Sequence, residues 1–448
     1  MSRDWKIAFC LFCAAVFLRL SVAIPGIADP ELLMRPDSAT YLGPAGSLLK
    51  FGIYGYDGVP TGLRVPLYPL FLVPWLWLDG GTPGAFSIFA NILYSSAAVP
   101  AVWFACREYG MSCKYSLVGA FVFLLDPTAV ALSPMFLSDG IFATAAALEL
   151  LFLILFIRRK EWCWLYLSAL TGGVGGLIRP LNLLWIFPCL FVVLFCKMGI
   201  WKIVLKHIVL SFCLFSAILL PWIFRNQVQG FGWRIDTVSA DSLKHNAAVV
   251  ESRATGKPAQ YFRDSYDAYF RKTFEEKKTL YSGENARLTY QEQYLSAIIK
   301  RYPFHYLRGF YHPVNYVPDV PSFLENLGLS QTGRGTWDVI VNQGLFAGVK
   351  HYFNGRYTLL LVLFPLCLIH FMAYLLAGFC LVLCLWKKKW EIPLLFVPMG
   401  LYYMTVTGPV AYPRFSLPVL PLICFASALG LQMLLEQIKR KKDKTYRI

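Results

Sequence analysis

Charge is scarce in this 448-residue chain: Asp, Glu, Lys and Arg make up 15% of it, against about 25% in a soluble domain. With 57% hydrophobic residues and a mean hydropathy of +0.52, a soluble globule of this length is excluded. Acidic residues are scarcer than basic ones, 26 against 42, giving a net charge of +16. There is no G-x-x-x-x-G-K-[ST], no H-E-x-x-H and no G-x-S-x-G, which removes P-loop, zincin and serine-hydrolase chemistry. No period of about 20–50 residues argues for a solenoid. The 12 cysteines all lie in or beside apolar runs, and 224–355 has none. That excludes a disulfide framework and a cysteine-based zinc site. Cys106/Cys113 and Cys380/Cys384 read as small apolar fillers.

Long apolar runs are what the chain has. A ~30 Å hydrocarbon core needs about 20 residues, and ten segments qualify: 5–27, 84–105, 115–134, 140–157, 162–178, 181–196, 203–223, 357–386, 392–408 and 416–435. The first carries Arg3 and Lys6 but no A-x-A-like cleavage site, so it reads as a retained helix. Basic clusters at Arg3/Lys6, Arg107/Lys114, 158–160, Lys197/Lys202/Lys206, 387–389 and 439–447 all fall on one side of a ten-span chain. By the positive-inside rule that side, with both termini, is cytoplasmic. Most of the positive charge is thus a topology signal, and nucleic acid is not a partner. Segment 66–80 is apolar too, but it is short and holds Pro66, Pro69 and Pro74. Counting it as a span would invert every later cluster, so it is assigned as a broken or juxtamembrane helix on the outer side. Three parts follow: 1–225 with seven spans, 226–355 as a mixed, mainly helical outer domain, and 356–448 with three spans. Within the middle part, 264–278 and 288–301 have helical spacing and 311–335 reads as loop.

This parity gathers loop 28–65, turn 135–139, Arg179-Pro180, loop 224–355 and turn 411–415 on the outer face. Asp37 begins an amphipathic face with Tyr41, Ala45, Leu48 and Leu49, and fits either a helix-start acid or a general base. Arg64, held among prolines, fits either snorkelling to lipid headgroups or phosphate binding. Asp139 stands at the start of the fourth span. Arg179, Arg225 and Arg414 sit at outer span ends, and an arginine fork suits phosphate. Asp126 and Glu149 lie inside spans, where acids face a cavity or a partner, and Arg19 is a candidate partner. The glycines of 172–176 read as a helix-packing face. His245, His305, His312 and His351 show no metal-ligand spacing.

These residues fall into runs that resemble a known group, the membrane-embedded GT-C glycosyltransferases. The likeness is to the bacterial branch related to protein O-mannosyltransferases and the lipid A aminoarabinose transferase. Pro36-Asp37-Ser38-Ala39-Thr40-Tyr41 with Ala45 and Gly52-Ile53-Tyr54 resembles its first outer loop, and Leu63-Arg64-Val65-Pro66-Leu67-Tyr68-Pro69 its R-x-P-x-Y-P motif. Ser138-Asp139 sits where a second outer acid stands, and Ile178-Arg179-Pro180 resembles the R-P turn. Pro221-Trp222-Ile223-Phe224-Arg225-Asn226 is similar to the motif opening the large loop. Ala297-Ile298-Ile299-Lys300-Arg301-Tyr302-Pro303 is similar to a late helix of that loop, and Tyr412-Pro413-Arg414-Phe415-Ser416-Leu417-Pro418 to the last outer turn. Ten spans is fewer than several relatives have.

The resemblance implies a polytopic all-α GT-C fold with a polyprenyl-phosphate-linked sugar as donor. It makes Asp37 the catalytic base, with Asp139 assisting or binding sugar or acceptor. Arg64, Arg179, Arg225 and Arg414 would hold the donor phosphate, and Tyr41 and Tyr68 would line the substrate. The chemistry agrees: an anionic phosphate leaving group stabilised by arginines needs no general acid, and one carboxylate suffices to take a hydroxyl proton. That gives direct, inverting transfer to a glycan, lipid or lipopolysaccharide hydroxyl. A retaining route would need a second carboxylate as nucleophile, a part Asp139 could fill. No cofactor is required; metal dependence varies across the wider fold, and the sequence shows no clear ligand cluster for a divalent metal. The expected setting is a bacterial inner membrane with the site facing the periplasm. Two other readings stand beside this one: a flippase of lipid-linked glycans using Arg19, Asp126 and Glu149, and a glycan polymerase or ligase using polyprenyl diphosphate donors.

Overall fold

The computed structural model describes residues 2–184, 189, 191–193, 201–310, 313–329, 335–353, 355–405, 408–410 and 412–445. The chain is a polytopic, almost wholly helical membrane protein. Among the described residues, six helices are long and apolar enough to cross a membrane: Arg3–Ala28, Ala85–Tyr109, Asp139–Arg159, Trp201–Val228, Leu361–Trp386 and Leu420–Arg440. Helices also stand where spans were expected at 115–134, 162–178 and 392–408. The expected span 181–196 lies largely outside the described residues.

Helix α1 (Arg3–Ala28) would reach about 39 Å at 1.5 Å per residue. At its start Asp4 pairs with Arg107 at 3.3 Å, and Arg159 pairs with Glu108 at 2.8 Å. Three of the basic clusters therefore share one end of the bundle, the end opposite the loop that follows α1. In that loop, helix α2 (Ala39–Phe51) is closed by Gly52 in the left-handed region (φ 68°), where glycine carries no Cβ penalty. A two-stranded hairpin follows, β1 (Gly55–Tyr56) and β2 (Val59–Pro60), turned by Asp57 (φ 49°) and Gly58 (φ 80°). Asp-Gly is the sequence that a tight hairpin turn with two positive φ angles favours.

Segment 66–80 is not a broken helix. It forms one helix, α3 (Leu67–Leu78), with Pro66 at its cap and Pro69 in the first turn, where no intrahelical donor is needed. Only Pro74 removes a bond. At about 18 Å α3 is too short to span the ~30 Å core.

The two halves of the second long helix are α4 (Ala85–Ser96) and α5 (Ala98–Tyr109). The third expected span is interrupted. Helix α6 (Cys113–Leu125) stops at Asp126, which is extended as a residue before proline must be. Its Oδ1 accepts from the amides of Thr128 and Ala129 at 3.0 Å each, capping α7 (Pro127–Leu132). Helix α8 (Asp139–Arg159) packs on α5 and on α9 (Trp162–Ile178). The glycines of α9 pack as expected: a Cβ at Gly173 would meet the Phe215 carbonyl of α10 (Trp201–Val228) at 3.0 Å.

Three helices, α11 (Val238–Thr255), α12 (Ala259–Glu276) and α13 (Glu284–Arg301), enclose a satellite core of Ala247, Ala248, Phe262, Tyr266, Phe270 and Leu295. The 311–335 region is not all loop. It holds a 3-10 turn at Pro313–Tyr316 and the helix α14 (Val320–Asn326), where Asp319 accepts from the Ser322 amide at 3.2 Å. An acid one residue before a helix and a proline at its second position are start signals that the polar composition concealed.

The chain returns through α15 (Thr358–Trp386), α16 (Glu391–Thr405) and α17 (Leu420–Thr445). α15 and α17 approach closely at Gly430, where an added Cβ would stand 2.3 Å from the Leu376 carbonyl oxygen. Gly430→Val must push a backbone away in an otherwise filled core. The expected cost is about 1–3 kcal/mol, read as a lower unfolding temperature of the detergent-solubilised protein. An unchanged temperature would show that the two helices do not meet this way.

Candidate active site

The end of the bundle opposite the basic clusters gathers most of the singled-out residues. Asp37 lies one residue before Ser38, the N-cap of α2, and its carboxylate turns away from the helix toward two arginines. Arg414 Nη2 donates to Asp37 Oδ2 at 2.7 Å, and Arg64 Nη2 stands 3.4 Å from Oδ1. The acid is therefore not spent as a helix cap. Burial pushes its carboxyl up. The charge and hydrogen bond of Arg414, then Arg64 and Arg179, outweigh burial and hold it below the usual carboxylate range. Its side chain keeps 37% exposure, so the ion-paired carboxylate is open to an incoming molecule.

Each arginine is aimed by its own surroundings. Arg64 Nε donates to Thr40 Oγ1 at 2.8 Å, and its guanidinium lies 4.7 Å over the Tyr41 ring. Arg414 sits in a 3-10 turn, Pro413–Ser416. Its burial disfavours the charged form, but Asp139 and Asp37 more than compensate and raise its pKa. Asp139, in the first turn of α8, is buried and pairs with Arg179 Nη1. The Tyr41 hydroxyl meets Ser138 Oγ at 3.1 Å. Asp37, Arg64, Tyr41, Asp139, Arg179 and Arg414 thus form one alternating cluster of two acids and three arginines.

Two expected members differ. Tyr68 is 1% exposed, so it does not line an open site. Its ring meets that of Tyr41 edge-on at 5.1 Å and its hydroxyl donates to Asn91 at 3.3 Å, so it supports Tyr41 from behind. Arg225 is not in the cluster. It donates to the carbonyls of Thr61 at 2.6 Å and Tyr54 at 3.0 Å and to Asn226 Oδ1 at 2.9 Å. The rest of its motif behaves alike: Trp222 Nε1 donates to the Ile235 carbonyl at 2.8 Å, and Asn226 Nδ2 to those of Arg234 and Ile235 at 3.1 Å each. Tyr54 in turn donates to the Arg64 carbonyl at 2.9 Å. The motif at 221–226 is therefore a scaffold that fixes the segment carrying Arg64.

The intramembrane acids are also satisfied differently from the expectation. Asp126 Oδ2 meets His370 Nδ1 at 2.5 Å. Glu149 Oε1 accepts from Asn182 Nδ2 at 2.7 Å, whose Oδ1 accepts from Tyr403 at 2.7 Å. Arg19, fully buried, donates from Nε to Ser133 at 2.7 Å; it makes no direct ion pair with either acid, and of the two it is the Asp126 charge that acts on it. Thr40 stood in the Pro36–Tyr41 run with no part assigned to it, and His370, Asn182 and Tyr403 were not singled out by the sequence. Only His370 carried a signal there, a lone histidine in an otherwise apolar span. Among the described residues, no group of three His, Cys, Asp or Glu is placed to hold a metal ion.

Three comparisons bear on this arrangement. The family of dolichyl-phosphate-mannose-protein mannosyltransferases matches residues 72–224. No curated protein matches the sequence. Among solved structures, the Archaeoglobus fulgidus oligosaccharyltransferase tethered with an acceptor peptide overlays 97% of this chain on 50% of its own (12% identity, TM-score 0.52). The archaeal oligosaccharyltransferase AglB from Archaeoglobus fulgidus, in complex with an inhibitory peptide and a dolichol-phosphate, overlays 100% on 52% (13% identity, TM-score 0.51). The fold is of the GT-C type. ArnT from Cupriavidus metallidurans bound to undecaprenyl phosphate overlays 96% of this chain on 61% of its own at 12% identity, with a TM-score of 0.47. The fold assignment rests on the archaeal enzyme, of which this chain spans about half the length.

Proposed function

We propose that the chain is a membrane glycosyltransferase moving a sugar from a polyprenyl-phosphate-linked donor to a hydroxyl acceptor on a glycan or lipid. The observation that carries this is the half-exposed Asp37 carboxylate shared between Arg414 and Arg64. The acceptor O–H gives its proton to Asp37 as its oxygen bonds to the anomeric carbon. The bond from that carbon to the phosphate oxygen breaks, and the electron pair leaves with the polyprenyl phosphate. Arg64 and Arg414 neutralise the charge that develops there. As the phosphate takes up their donors, Asp37 loses part of what depresses its basicity, so donor binding itself prepares the base. Asp139 is buried under Arg179, which favours a single displacement with inversion over a route needing a second free carboxylate. Arg179 acts through Asp139, and Arg225 positions Arg64.

The site would face the periplasm of a bacterial inner membrane, with the shared basic end of the bundle in the cytoplasm. The parts 1–225 and 356–448 form the membrane module that contributes the site, with 226–355 as the outer domain. The test is purified protein in lipid nanodiscs with a panel of undecaprenyl-phosphate sugars, scored by mass for donor cleavage and single-sugar transfer. Transfer of one sugar supports the reading. Movement of lipid across the bilayer without glycosidic bond formation, or transfer of a whole glycan from a diphosphate donor, overturns it.

A further inference from the structure

We propose that His370 is a positioning residue for Arg414, acting through the two short turns 313–316 and 413–416. The proposal rests on the reading that Arg414 holds the donor phosphate. His370 is 1% exposed on α15, and both ring nitrogens are engaged. Nδ1 meets Asp126 Oδ2 at 2.5 Å, and Nε2 meets the Tyr316 carbonyl oxygen at 3.1 Å. The ring therefore joins three parts of the chain: the break between α6 and α7, the span α15, and the 3-10 turn Pro313–Tyr316. That turn grips the next one. Asn315 Oδ1 accepts from the Tyr412 amide at 3.0 Å, two residues before Arg414. Tyr374, one helical turn beyond His370, lines a small cleft with Asn315, Tyr316, Phe415 and Ser416. One face of α15 thus underlies both turns.

Short 3-10 turns have few internal bonds of their own. An arginine on such a turn keeps its direction only if the turn is held from outside. A buried pair such as Asp126–His370 returns little net stability. What it provides here is a fixed point at membrane depth, from which each step to Arg414 is a hydrogen bond or a packed turn.

The test is the dissociation constant of undecaprenyl phosphate, titrated against the full-length protein in nanodiscs. Asp126→Asn/His370→Leu removes the ring together with its counter-charge and keeps a capping side chain for α7. It should bind the lipid phosphate about tenfold more weakly, as expected for a displaced clamp. Asn315→Ala should weaken binding similarly without touching the buried pair, and it answers alone if the double variant does not fold. Added to Arg414→Ala, either change should cost nothing further, because its effect passes through that side chain. Wild-type affinity in Asn315→Ala and in whatever Asp126→Asn/His370→Leu folds would overturn the proposal, as would losses that add in full to that of Arg414→Ala. Wild-type affinity in Arg414→Ala itself would instead sink the reading of Arg414.

Discussion

Asp37→Asn is expected to lower the rate of sugar transfer by roughly 10²–10⁴-fold, the usual contribution of a positioned general base. The substitution keeps the size of the side chain and removes its ability to take a proton. Asp37 is half-exposed, and among the described residues its ion pairs are with Arg64 and Arg414 at the mouth of the site, so the fold should stand. Binding of undecaprenyl phosphate should persist or tighten, since the two arginines lose a competing anion. The combination separates a base from a structural acid: kcat collapses, the unfolding temperature stays, and the lipid phosphate still binds. Full transfer activity in a folded Asp37→Asn protein would remove Asp37 from the mechanism.

The second large effect is expected at Arg414. Arg414→Ala removes a donor 2.7 Å from Asp37 and the strongest charge opposing burial of that carboxyl. Losing one preorganised donor to a developing oxyanion costs about 10²–10³-fold in rate, and binding of the lipid phosphate should weaken as well. The pH profile should also move in a determined direction. In the intact protein the arginines hold Asp37 below the ordinary carboxylate range, so it remains a base until the pH falls through that depressed value. The stability it gains from the arginines is likewise fully present above the ordinary carboxylate range and lost as pH falls through the folded pKa. Without Arg414, burial is less opposed and the pKa rises. The acid limb of kcat/KM should then shift to higher pH. Measured between pH 4 and 8, acid limbs that coincide for the variant and the wild type would show that Arg414 does not govern Asp37.

Much of this site was legible because chemistry and topology pointed to one place. Asp37, Arg64, Asp139, Arg179 and Arg414 are far apart in sequence, and counting basic clusters was enough to set them on one face. What the sequence withheld was the use of each donor. Nothing in Pro-Trp-x-x-Arg-Asn distinguishes an arginine aimed at phosphate from one committed to two backbone carbonyls, because that depends on where residues 54 and 61 come to lie. The place of Tyr68 was hidden for a related reason. It stands at the start of α3, and the packing that turns it behind Tyr41 is tertiary. The pairing of Asp126 was hidden because its partner, His370, lies 244 residues away. The hairpin at 55–60 was visible in Asp57-Gly58 yet lay inside a loop read for its acids.

Asp37 holds one arginine from nearby in the chain and another 377 residues further on. During synthesis the first half of that pair is in place long before the second. A nascent chain has the acid and Arg64 in the outer loop while the span leading to Arg414 is still in the ribosome. The pair is complete only when the turn between helices α16 and α17 has been made. On the proposed function, a chain stalled before residue 414 would hold the base and only one of the two arginines that pair with it.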